Sequence, residues 1–108
     1  MFGFYFGKEV NMIVNLKFGF YVDVIDIPDE LVTDLKKLQK NFDKWLYNKE
    51  NNHGYWVVID GKKRAVKFDG LAFVEWLNKY ILTNNNVKAH VIKKETTEYN
   101  DNYPFLFF

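Results

Sequence analysis

The chain has 108 residues, 48% apolar and 19% aromatic, enough for one domain with its own core. It contains no cysteine and no serine, which excludes disulfides, thiolate and serine nucleophiles and cysteine-based zinc sites. The net charge of +1 gives no bulk field for nucleic acid or an anionic membrane.

Lysine, asparagine, phenylalanine, tyrosine and isoleucine are heavily used, and Arg64 is the only arginine. That usage suggests an AT-rich coding sequence, from a low-GC bacterium, a phage or a horizontally acquired gene. Charge is mildly uneven: residues 1–61 carry 7 basic and 9 acidic side chains, residues 62–108 carry 8 and 5. No apolar run reaches the roughly 20 residues needed to span a bilayer. The apolar stretch Met1–Gly7 lacks the basic region and cleavage site of a signal peptide, so a cytoplasmic location is expected.

Taken in order, Phe2–Phe6 reads as a short strand that Gly7, Lys8 and Glu9 turn back against a much longer one. From Val10 to Val24 every even position is apolar: Val10, Met12, Val14, Leu16, Phe18, Phe20, Val22 and Val24. A period of two predicts one long half-buried strand, with Gly19 marking a bulge or bend inside it. Pro28 then suits the start of a helix over residues 28–48, with Asp29 and Glu30 at the positive end of its dipole. Leu31, Leu35, Leu38, Phe42 and Trp45 form its apolar stripe.

Asn48–Asn52 is a polar loop. Tyr55–Ile59, Asp60-Gly61 and Lys62–Phe68 give a strong hairpin signal, because Asp-Gly supplies both positive-φ residues of a type I′ turn. The expected pairs are Ile59 with Lys62, Val58 with Lys63, Val57 with Arg64, Trp56 with Ala65 and Tyr55 with Val66. Asp69 is placed to cap a helix over Gly70–Leu82. A strand comes next around Val87–Ile92, and the aromatic tail ends in Phe105-Leu106-Phe107-Phe108. Together these elements predict a single α+β domain over residues 1–108. It is a two-layer sandwich: an antiparallel or mixed sheet of about five or six strands, with two helices on one face.

Chemistry-bearing patterns are sparse. His53 and His90 have no partner at metal-ligand spacing, and no metal or cofactor is expected. Asp23, Asp26, Asp29 and Glu30 cluster at a strand end, where strand solvation and helix capping account for them. No glycine-rich phosphate loop is present. Lys62, Lys63, Arg64 and Lys67 near Trp56 are the one hint of a single-strand nucleic-acid platform, but lysines at a hairpin tip also serve solubility and discourage edge pairing.

The aromatic surplus is more informative. If the helices cover the even face of the long strand, the opposite face displays Tyr21, Asp23, Trp56, Lys63, Lys67, Lys88 and His90. Aromatic and charged side chains on a rigid sheet suit a protein partner. In size, composition and lack of catalytic groups the chain resembles a small bacterial immunity or inhibitor protein, though no residue motif carries that likeness. The expectation is therefore a non-enzymatic, monomeric or homodimeric domain that binds and neutralises a protein, such as a toxin domain. The alternatives are a nucleic-acid-binding accessory module built on the basic hairpin, and a small-molecule-binding or carboxylate-dependent enzyme relying on Asp23 or His90.

Overall fold

The computed structural model describes residues 11–83 and 86–108; the strand expected over Phe2–Phe6 and its turn lie outside them. Among the described residues, six strands and two helices form an α+β arrangement. The alternating stretch is not one strand but two, β1 (Asn11–Phe18) and β2 (Tyr21–Pro28). They pair antiparallel from Phe18↔Tyr21 to Asn11↔Pro28.

Gly19 and Phe20 form the two-residue turn between them. Gly19 has φ +63°, which fits the first central position of a type II′ turn, where glycine is favoured. The turn also swaps parity. Leu16 faces Asp23 and Val14 faces Ile25, so even positions of β1 share a face with odd positions of β2. This overturns the expected faces: Tyr21 and Asp23 lie on the same side of the sheet as Val14, Leu16, Ile25 and Ile27.

That side is the main core. A 3-10 turn at Asp29–Asp34 leads into α1 (Leu35–Leu46), so only the second part of the expected helix is α-helical. Val32, Thr33 and Asp34 explain the delay, being β-branched or prone to bond their own backbone. Leu35, Leu38, Phe42 and Leu46 then turn inward. α2 (Gly70–Trp76) adds Ala72, Phe73, Val74 and Trp76. Asp69 caps it, accepting from the Leu71 N–H at 3.1 Å. The helix finishes in a π turn, Leu77–Ile81, where the Leu82 N–H donates to Leu77 O at 2.8 Å.

The four-stranded sheet runs β5-β2-β1-β6, where β5 is His90–Thr96 and β6 is Phe105–Phe107. β5 is antiparallel to β2, and β6 is parallel to β1. The aromatic tail is thus an edge strand. Leu106 is buried, Phe107 faces solvent, and Phe108 stacks on Phe18 with ring centres 5.0 Å apart. On the sheet's second face, the chain between β5 and β6 lies over β1, and Asn15 Nδ2 donates to Asn100 O at 2.9 Å. Both faces of this sheet are therefore covered.

β3 (Trp56–Ile59) and β4 (Lys62–Val66) form a separate two-stranded sheet. Asp60 (φ 54°) and Gly61 (φ 73°) make the expected type I′ turn. Ile59↔Lys62 and Val58↔Lys63 pair as anticipated, but Val57 then faces Ala65 and Trp56 faces Val66. Arg64 is the extra residue of a β-bulge, which shifts the register by one at the base of the ribbon.

Candidate functional site

The structure scatters the residues that the single-face expectation had grouped. Asp23 is fully buried. Its Oδ2 accepts from the Gly70 N–H at 2.7 Å and its Oδ1 from the Glu95 N–H at 2.8 Å. The carboxylate thereby joins the first residue of α2 to the bulge of β5, where Glu95 holds φ 53°. Gly70 is required there, because a Cβ would sit 2.7 Å from Asp23 Cβ. Asp23 is a structural tie, not an open-face contact.

Tyr21 and Lys67 do meet, in a hollow of about 400 Å³ shared with Tyr55, Phe68, Asp69, Leu71 and Glu95. Burial, and then the carboxylates of Asp23, Glu95 and Asp69, raise the pKa of the Tyr21 hydroxyl. Lys94 pairs with Asp69 at 3.2 Å. Lys88 is elsewhere, donating to Leu82 O at 2.7 Å after the π turn. His90 lies at the sheet edge, its Nδ1 3.2 Å from Asp26 Oδ1. The contacts that hold Lys88 and His90 are thus to Leu82 and Asp26, not to hairpin residues.

Lys63, paired with Val58 near the tip of the β3–β4 ribbon, reaches back over Trp56 at its root. The Lys63 ammonium lies 5.4 Å from the Trp56 ring centre. It also donates to Lys49 O at 2.5 Å, Asn51 O at 3.2 Å and Asn52 Oδ1 at 2.6 Å. Trp56 Nε1 donates to Asn51 O at 2.7 Å. Four oxygen contacts thus bind the ribbon to the loop after α1, and the Lys63 charge is spent on that loop.

His53 completes the root. The Tyr55 N–H donates to His53 Nδ1 at 3.1 Å, so Nε2 carries the proton and donates to Leu46 O at 2.7 Å. The imidazole lies flat on Trp56 at 5.0 Å and 4.8 Å from Trp45. Along the ribbon Val57, Val58 and Ile59 are 36%, 56% and 53% exposed, and Lys62 and Arg64 are exposed beside them.

Against the root, Trp45, His53, Tyr55, Trp76 and Tyr80 line a groove of about 400 Å³ with Glu75 and Lys79 at its rim. Tyr80 stands 5.8 Å from Trp45 and 6.4 Å from Trp76 by ring centres. The Tyr55 hydroxyl donates to Glu75 Oε1. Burial and that bond raise the Tyr55 pKa well above the usual tyrosine value. The Lys79 ammonium lies 5.3 Å from the Tyr80 ring centre. These residues come from three separate stretches of chain. One local signal exists for part of the set: Glu75-Trp76 and Lys79-Tyr80 repeat a charged-aromatic pair four residues apart, on one helix face.

Among the described residues, no group of three or more His, Asp or Glu side chains is placed to hold a metal ion. No helix among them is long and apolar enough to cross a membrane. No family model, curated protein or solved structure matches this chain.

Proposed function

We propose that this chain is a non-enzymatic protein-binding domain that engages its partner with the β3–β4 arm, as a cytoplasmic bacterial immunity or inhibitor protein would engage a toxin domain. The observation that carries this reading is the run Val57-Val58-Ile59. Consecutive residues of a strand point to opposite faces, so three exposed in a row mean that, among the described residues, both faces of the ribbon present apolar surface to solvent. An exposed ribbon of β-branched side chains, with no further strand paired to it among the described residues, is a template for association. The root makes it a pre-organised one, because Lys63, Trp56 and His53 fix its direction before any partner arrives.

Exposed Lys62 and Arg64 beside the apolar strip suit a partner surface that is apolar at its centre and acidic at its rim. They support a protein better than a nucleic acid. Trp56 and Lys63, which a stacking platform would need free, are already bound to each other and to the loop.

The test is a pull-down from lysate of the source organism, with and without nuclease, using the wild-type chain and Val58→Asp in parallel. Val58 is exposed, so its replacement leaves stability within about 0.5 kcal/mol. One protein captured by the wild type, resistant to nuclease and lost with Val58→Asp, is the expected result. Capture that is indifferent to Val58→Asp, or that disappears with nuclease, would overturn the reading.

A further inference from the structure

The groove beside the arm has a chemistry of its own and stands independently of the arm's role. We infer that the groove formed by Trp45, Tyr55, Trp76 and Tyr80, with the Glu75 carboxylate at its rim, is a binding site for an alkylated ammonium group, and that Lys79 occupies the cation position in the empty protein.

Three observations converge. The lining is rich in aromatic rings, whose faces carry negative quadrupole charge and attract cations within about 6 Å of the ring centre. The protein's own ammonium already takes such a place: Lys79 Nζ lies 5.3 Å from the centre of Tyr80, on the groove's rim. Finally, Glu75 supplies a countercharge on the same helix face, while its bond from the Tyr55 hydroxyl fixes the carboxylate against the groove.

A volume of about 400 Å³ lies within the usual range for a small-molecule site and exceeds what one ammonium needs. An alkylated ammonium fits these walls better than a bare one. Its carbon shell gains from apolar contact and loses less hydration on entry. The π turn contributes by placing Lys79 and Tyr80 after Trp76 without breaking the helix, a device common at binding sites. Lys79 is exposed on a long stem, so a better cation displaces it by rotation of its side chain alone.

The experiment titrates tetramethylammonium and choline into the full chain at constant ionic strength, reading tryptophan fluorescence and backbone amide shifts. Controls are 3,3-dimethylbutanol, the uncharged counterpart of choline, and glucose. The expected result is saturable binding of both cations, with shifts centred on Trp45, Glu75, Trp76 and Tyr80, and little response to either control. Lys79→Gln should tighten the cation by about three- to tenfold, since it removes the resident competitor, and Glu75→Gln should weaken it by a similar factor.

A trimethyllysine peptide compared with free choline tells a modified protein tail from a small metabolite as the source of the same group. No binding in the millimolar range, equal response to the uncharged counterpart, preference for glucose, or weaker binding in Lys79→Gln would each overturn the inference. Both substituted side chains are exposed, so circular dichroism of the variants should match the wild type. The arm is tested by Val58→Asp, which leaves this groove untouched, so either proposal can fail alone.

Discussion

The described residues form two hairpins, each closed by a two-residue turn, and they are stabilised in opposite ways. β1–β2 lies inside the four-stranded sheet, with the helices on one face and the β5–β6 connection on the other. β3–β4 pairs with no further strand among the described residues and leaves Val57, Val58 and Ile59 in solvent. The first is held by burial of Val14, Leu16, Ile25 and Ile27. The second is held by hydrogen bonds at its root, to oxygens of the loop after α1. An isolated two-stranded ribbon is marginal in water, so such an anchor is what lets it stand. The contrast bears on function: a surface left uncovered and pre-aimed is free to bind, whereas a surface covered on both sides is committed to the fold.

The strongest test of the buried half is Phe42→Ala. The Phe42 ring touches Trp45, Phe68, Phe73, Trp76 and Phe108, so its removal opens a hole where α1, α2 and the tail meet. A loss of about 3–5 kcal/mol in urea unfolding is expected. A loss below about 1 kcal/mol would mean that the ring cluster is not the centre of the core.

Next in size is Asp23→Asn, at about 2–3 kcal/mol. The amide keeps one acceptor but turns N–H groups toward the Gly70 or Glu95 N–H, leaving a buried donor unpaired. Hydrogen exchange of the Glu95 amide should accelerate more than that of β1. Equal protection of both in the variant would show that Asp23 does not hold the β5 bulge.

These two residues also show how much of the fold the sequence carries. Phe42 is legible, since the stripe Leu35, Leu38, Phe42 has helical spacing and all three are buried. The Asp60-Gly61 turn and the Asp69 cap are legible too, because each depends on neighbouring residues alone. Asp23 is not. A continuous alternation conceals a turn that preserves the count, and the swap of parity at Gly19-Phe20 moves Asp23 from the open face to the core.

Two signs of the swap are nonetheless present. Gly19 offers the one backbone that a type II′ turn prefers, and Val22, Val24, Ile25 and Ile27 are apolar at both parities, as a strand covered on both faces requires. The groove is less visible still. Trp45, His53, Tyr55, Trp76 and Tyr80 meet only after α1, the loop and the π turn have packed, and no local pattern encodes that packing.

In the arm, His53→Ala is expected to cost about 1–2 kcal/mol locally. It removes the bonds to Leu46 O and from the Tyr55 N–H, and the ring contacts with Trp45 and Trp56. Amide exchange in β3 and β4 should rise by about tenfold while β1 and β2 keep their protection, as independent opening of a weakly packed unit demands. Uniform acceleration across the chain would erase the distinction between the two hairpins.

The smallest effect lies at alkaline pH, on the hollow and groove flanking Tyr55. Burial raises the Tyr21 and Tyr55 hydroxyls above their ordinary value of 10.0, and the bond to Asp69 raises Lys94 above 10.5. Each group therefore keeps its proton to higher pH in the folded chain than in the unfolded one. Between the two values the folded state binds more protons, so stability falls as pH rises and is unaffected below the unfolded values. The loss should begin near pH 10, where the unfolded tyrosines titrate. Tyr55 is only partly buried, so its share stays well under the roughly 1.4 kcal/mol per pH unit of one fully linked proton. Tyr55→Phe removes that share, and urea unfolding across the alkaline range should then show a shallower decline than in the wild type. An unchanged slope would move the alkaline sensitivity to Tyr21 and Lys94, on the side of the molecule that the helix-capping residue Asp69 holds together.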